Sequence, residues 1–213
     1  TVGRGAGAVS TNTAVGASAL AANTTGNENA MFGGLAGYNS SGSYNTGLGN
    51  QALRNSSGNH NTGIGWGALL TNTSGGVNIA VGNYALYSNT TASNNTAVGY
   101  QAGYSNTTGS SLVALGYKAG YTSTGDYNTF IGQQAGYYIT SGSKNTILGC
   151  YNGNQGGLDI RTASNYIVLS DGDGNPRGYF GSDGTFYVGN SNGTSWPNGA
   201  VALFANYGGY QAI

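Results

Sequence analysis

Charge is nearly missing from this sequence: 213 residues carry six Lys or Arg, six Asp or Glu and one His, for a formal net charge of zero. An ordinary domain is about a quarter charged, so solubility here must come from Asn, Ser, Thr, Gln and tyrosine hydroxyls, as in extracellular and virion fibres. Without an excess of Lys and Arg to neutralise phosphates, no nucleic-acid partner is expected. Proline is equally scarce, at two residues, and the 41 Gly do not fall at every third position, which excludes a collagen helix. The single cysteine, Cys150, excludes an intramolecular disulfide and reads as a small core residue. No run approaches the roughly 20 apolar residues of a membrane helix, so no membrane insertion is expected. The first residues lack the charged and apolar regions of a signal peptide. Starting without Met and already in repeat-like sequence (Val2-Gly3-Arg4-Gly5-Ala6-Gly7), the chain reads as a piece of a longer polypeptide.

Aromatics, by contrast, are plentiful: 17 Tyr, 5 Phe and 2 Trp argue against disorder. The sequence is also periodic. Gly16, Gly33, Gly49, Gly65, Gly82, Gly99, Gly116, Gly132 and Gly149 recur at spacings of 16 or 17 residues. Before each stands a large apolar residue: Val15, Phe32, Leu48, Ile64, Val81, Val98, Leu115, Ile131 and Leu148. Four positions before each Gly stands Asn, from Asn12 to Asn145, with Leu112 the one exception. Three after it stands Ala, from Ala19 to Ala135, until Asn152 breaks the row. Columns in register over this length define a repeat architecture.

Each unit reads as a strand, a Gly bend, a second short extended piece and a polar turn. Side chains alternate along a strand, so in Asn95-Thr96-Ala97-Val98-Gly99 one face carries Thr96 and Val98 and the other Asn95 and Ala97. The always-large column before the Gly is taken as the buried structural core. The small column beside it (Ala14, Gly47, Gly63, Ala80, Ala97, Ala114) is taken as the place where another backbone approaches. Stacked coils complete one another's backbone ladder, and the Asn column is expected to form side-chain amide ladders. Coils of 16 or 17 residues with a polar turn enclose only a thin core. The expected fold is therefore all-β, a repetitive β-solenoid or β-roll, with a parallel homotrimer favoured over a single-chain solenoid.

The repeat ends after Gly149. Tyr166–Ser170, Arg177–Gly181 and Thr185–Gly189 read as short strands separated by Asp/Gly turns. The expected organisation is a preceding segment or partial repeat over 1–11, a nine-coil rod over 12–157, a β-meander neck or cap over 158–190, and the start of a further module over 191–213.

No catalytic machinery is legible. His60 and Cys150 lie more than five repeats apart, and only Glu28 and Asp126 are acidic within the repeats, so neither a nucleophile–base pair nor a carboxylate pair is placed. No zinc-ligand spacing occurs. Asp171, Asp173 and Asn175 open like a calcium loop, but Pro176 and Ser182 occupy the places where an EF-hand needs Gly and Glu. The segment reads as a hairpin turn, with no metal and no cofactor expected. The N-x-S/T sequons at Asn23, Asn39, Asn55, Asn72, Asn89 and Asn106 fall in the polar turn and reflect turn propensity. Tyr38, Tyr87, Tyr104, Tyr121 and Tyr137 recur five residues after the Gly. They suit a stacked aromatic ladder or a row of rings and amides for glycan binding.

The aliphatic-Gly strand with Asn/Thr/Ser/Gly turns resembles the head β-rolls of trimeric autotransporter adhesins. The longer unit Asn95–Tyr104 and the segment Tyr166–Arg177 look more like repeats in tail fibres of tailed bacteriophages. That resemblance, over roughly residues 10 to 190, implies a trimer and host recognition through a cell-surface polysaccharide or protein receptor, with an intramolecular chaperone downstream. The expected function is a structural, adhesive virion fibre segment and not an enzyme. The alternatives are a bacterial surface adhesin or a self-assembling extracellular filament, so the expected location is the virion or the cell exterior.

Overall fold

A computed structural model describes residues 2–5 and 9–188. The module expected over 191–213 lies outside the described residues. Each repeat supplies one three-residue strand: β2 (Thr13–Val15), β3 (Ala30–Phe32), β4 (Thr46–Leu48), β5 (Thr62–Ile64), β6 (Ile79–Val81), β7 (Thr96–Val98), β8 (Val113–Leu115), β9 (Thr129–Ile131) and β10 (Thr146–Leu148). They stack parallel and in register, so that Thr62 lies opposite Ile79 and Ile64 opposite Val81. The chain is an all-β solenoid of about nine turns. At about 4.8 Å per strand it forms a rod roughly 40 Å long.

The parallel ladder is closed at both ends by strands running the other way. β1 (Val2–Gly3) pairs antiparallel with β2. Beyond the repeats, β11 (Asn154–Gln155) and β12 (Leu158–Asp159) form a separate hairpin. β13 (Ile167–Ser170) then returns to the ladder parallel to β10, followed by antiparallel β14 (Pro176–Phe180) and β15 (Phe186–Val188). The boundary expected near Gly157 therefore falls inside the ninth coil, and β13 opens a tenth. The rod sheet continues into the strands read as a cap.

Two backbone devices shape each coil. At the bend Gly, φ lies far into the positive range (132° at Gly82), and a Cβ on Gly82 would sit 2.5 Å from the carbonyl oxygen of Gly99 in the next coil. Only glycine fits both demands. The segment after the bend is a run of tight turns, not the extended piece expected. Ala36 N–H donates to Gly33 C=O and Tyr38 N–H to Leu35 C=O, while Leu35 and Gly37 take positive φ. That is the pattern of consecutive type II turns. It puts non-Gly residues such as Leu53 and Gln51 in the left-handed region (φ 53° and 59°), at about 1–2 kcal/mol each; Val77, just before the column Asn78, is left-handed as well (φ 59°).

The Asn column is buried and fully engaged, though not as side chain stacked on side chain. Asn45 Oδ1 accepts the Asn61 N–H at 2.8 Å while its Nδ2 donates to Gly58 C=O at 3.0 Å. Asn61 repeats both bonds toward Asn78 and Gly75, at 2.9 Å each. Each amide thus holds the backbone of the following coil.

Burial reverses the two strand faces assigned from the sequence. The middle residue points inward: Ala14, Met31, Ala80, Ala97, Ala114, Phe130 and Ile147 are buried. The large column points outward. Phe32, Leu48, Val98, Ile131 and Leu148 are exposed, and Val15, Ile64, Val81 and Leu115 are half-buried. The same alternation that puts Asn inside carries the middle residue with it, because both lie two positions apart on one face. The small column therefore lies against the chain's own core. It leaves no opening for a second backbone.

The core takes about one large side chain per coil. Where the fourth residue after the Gly is large (Leu20, Leu53, Leu69, Leu86), the inner strand residue is Ala or Gly (Ala14, Gly47, Gly63, Ala80). Where that residue is Gly (Gly37, Gly136), the strand supplies Met31 or Phe130. Coils with Ala97/Gly103 and Ala114/Gly120 are small at both places. Their space is taken by Leu112, whose Cδ2 lies 3.2 Å from where a Gly103 Cβ would be, and by Phe130, 2.8 Å from that of Gly120. Leu112 thus displaces the column Asn in order to fill the core.

Leu112→Asn should therefore destabilise the protein by about 3 kcal/mol, although it restores the repeat consensus, because it opens a cavity. A chemical denaturation series measures this. Val77→Asn, at an exposed left-handed position, should raise stability by about 1 kcal/mol, seen as a higher melting temperature.

Candidate recognition surfaces

The coil geometry sorts the remaining side chains into faces. The outer sheet face carries Thr, Val or Ile at the first strand position (Ala30 in β3) and the large apolar column at the third. Exposure is greatest at Leu48 (50%), with Ile79, Ile167 and Leu169 above 40%. No charged residue falls in these strand columns from β2 to β10. The nine residues expected as core therefore form an apolar ridge along the rod.

The tyrosines expected as a glycan row divide. Tyr87, Tyr104, Tyr121 and Tyr137 stack face to face, with centroids 5.2, 5.1 and 4.9 Å apart and planes within 7°. Tyr38 is separated from them by Arg54 and Leu70 in the same column. Because the coil rise matches ring-stacking distance, each ring covers its neighbour's face, leaving mainly edges and hydroxyls to solvent. A second row, Tyr100 and Tyr117, stacks at 5.7 Å, and Trp66 and Tyr84 extend the aromatic cluster. Lys118 Nζ lies 5.3 to 6.0 Å from the rings of Tyr117, Tyr121 and Tyr137, a cation–π contact.

The stack changes the acid–base behaviour of its phenols. Burial, then the neighbouring Tyr121 and Tyr87, push the Tyr104 hydroxyl above its ordinary value. Burial, ahead of the nearby Asp159, raises Tyr151 further still. Tyr179 is raised by burial and then by Tyr187.

The other sequence candidates are accounted for locally. His60 stacks on Tyr44 at 4.9 Å in the exposed turn column, and Cys150 is half-buried. Asp171 accepts the backbone N–H groups of Asp173 and Asn175 and pairs with Arg177, as a turn-stabilising residue. Among the described residues, no group of three His, Cys, Asp or Glu could hold a metal. Asn23, Asn72, Asn89 and Asn106 of the sequons are buried, and their amides bond to turn backbone, as Asn106 does to Gly109 C=O at 2.7 Å.

The sequence reading missed one feature, at the end of the repeats. The residues that pair across coils step from 17 to 21 apart where Ser143 and Thr140 meet Ser164 and Arg161. The added residues hold the β11–β12 hairpin, and beside it opens a groove of about 390 Å³ lined by Tyr138, Thr140, Asp159, Arg161 and Thr162. The signal for it was the shift away from the 16–17 residue period together with two charges, Asp159 and Arg161.

No protein-family model, curated protein or solved structure matches this chain.

Alkaline titration tests the phenol environment. The unfolded chain gives up tyrosine protons near pH 10 while the raised phenols of the fold still hold theirs. Stability should thus be unaffected by these groups below that pH and fall above it. Thermal melts from neutral to strongly alkaline pH check this, and Tyr104→Leu should weaken the fall.

Proposed function

We propose that the chain is a rigid structural segment of an adhesive fibre, built from parallel copies of itself and carrying receptor-recognition elements outward from a virion or cell surface. One observation carries this reading: the uncharged apolar ridge from Val15 to Leu169 along one side of a rod. Its eight most exposed members leave on the order of 600 Å² bare, at the upper end of what a monomeric protein ordinarily shows in one patch. Ridge side chains recur at the strand spacing, so a partner that meshes along its whole length needs the same axial repeat. A second copy has that repeat. Three copies are preferred because the resemblance to tail-fibre repeats implies that number.

The low charge, the absence of a legible nucleophile–base pair and the uniform coils favour a mechanical and adhesive role over catalysis. A bacterial surface adhesin fits the same geometry. A filament made by coil-on-coil stacking fits less well, because β1 runs antiparallel where the next parallel strand would add.

Native mass measurement of the intact protein should give three times 21.4 kDa. Leu48→Asp with Ile131→Asp, both outside the core, should leave the β spectrum intact and give monomers. A wild-type monomer overturns the assembly proposal.

A further inference from the structure

We propose that the groove between the coil that follows β9 and the β11–β12 hairpin is a saccharide-binding site for a neutral sugar unit, with Tyr138 as its platform and the Asp159–Arg161 pair as its hydroxyl clamp. The inference rests on the adhesive-fibre reading and names where that fibre would touch its receptor.

Three features single out this groove. The first is position. Insertions in a solenoid project on one face and commonly form its binding surface, and this hairpin is an insertion into an otherwise uniform rod. The second is aromatic access. The rings of the tyrosine stack cover one another, whereas Tyr138 stands at 81° to Tyr137, its one ring neighbour among the described residues. At least one of its faces is therefore uncovered by another ring, and the residue is 49% exposed. A flat apolar ring with a polar tip offers contact area at low entropic cost.

The third is the polar set. Arg161 Nε and Nη2 donate to Asp159 Oδ1 and Oδ2 at 2.9 and 2.7 Å, a bidentate pair with both side chains about half exposed. The guanidinium has five donors, so Nη1 and the second Nη2 hydrogen remain for a ligand, and the carboxylate keeps acceptor capacity beside them. Donor and acceptor side by side match the vicinal hydroxyls of a pyranose. The net charge of the pair is zero, which favours a neutral sugar over an anionic one. Thr140 Oγ1 donates to Arg161 C=O and keeps its acceptor pairs.

The site is also held in shape before any ligand arrives. Thr140 N–H donates to Arg161 C=O at 2.7 Å, and Ile160 N–H to Gly153 C=O at 2.8 Å. Buried Tyr151 donates its hydroxyl to Leu158 C=O at 2.7 Å, and Ile160 is fully buried beneath the hairpin. The volume of about 390 Å³ falls within the range of small-molecule sites, about 300–1,000 Å³.

The test is binding of the full chain to an array of neutral and anionic cell-surface oligosaccharides, repeated with Tyr138→Ala, Tyr138→Phe, Arg161→Ala and Tyr104→Leu. The expected result is a neutral-sugar signal that drops about tenfold in Tyr138→Ala and Arg161→Ala but persists in Tyr138→Phe and Tyr104→Leu, with far-ultraviolet dichroism unchanged in all four. A silent array defeats both the adhesive reading and this site. Binding that survives Tyr138→Ala and Arg161→Ala, or that is confined to anionic sugars, overturns the site alone and leaves the adhesive reading standing.

Discussion

The hydrogen bond from each coil's backbone N–H to the Asn side chain of the coil before it is the constraint on which the rod depends. A three-residue strand carries too few ladder bonds to fix its own register, and a slip by one residue would exchange its two faces. The buried amide removes that freedom. Its Oδ1 goes to backbone of the following coil and, except at Asn95, where Nδ2 turns to Asn89 Oδ1, so does its Nδ2, so one side chain sets the rise, the register and the direction of the turn. Burying so polar a column is tolerable only because both ends of each amide are satisfied. The bend glycines then fit because the coils approach closely enough for ring stacking and for backbone contact.

Much of this was legible in the sequence, and for a physical reason: a stacked repeat turns a linear spacing into a spatial column. The Gly, Asn and Ala columns gave the coil length, the parallel stacking and the all-β class. The tyrosine column also reads directly as a stack from Tyr87 to Tyr137. What could not be read was the sense of the strand. Thr96/Val98 against Asn95/Ala97 is a clean alternation, and hydrophobicity argues for burying Val98. The amide of Asn95 decides otherwise, because its value lies in bonds to the next coil, which a single repeat does not display. The type II turns after the bend were hidden for a related reason: residues such as Leu53 and Gln51 have no preference for left-handed backbone, and the tertiary ladder imposes it.

The exception at Leu112 and the insertion at 154–159 are different kinds of departure from the repeat. Leu112 exchanges hydrogen bonds for volume where Ala97, Gly103, Ala114 and Gly120 leave the interior underfilled. The hairpin keeps Ile160 in the place that Ile139 holds one coil earlier, sets Tyr151 and Leu158 into the core where the Ala column ends, and adds surface. The first is a repair of packing; the second creates a concavity in a rod that is elsewhere smooth.

Leu112 has a mechanical side as well. Tension along the rod pulls on bonds that lie parallel to its axis, and successive coil interfaces bear that load in series, so the weakest interface sets the strength of the whole. The Asn relay joins one coil to the next up to Asn95 and again from Asn128, but Leu112, whose N–H donates to Asn95 Oδ1, has no side-chain oxygen to offer the Asn128 N–H. Of the interfaces from β2 to β10, only that between β8 and β9 lacks this relay, so load along the axis there rests on fewer coil-to-coil hydrogen bonds than at its neighbours.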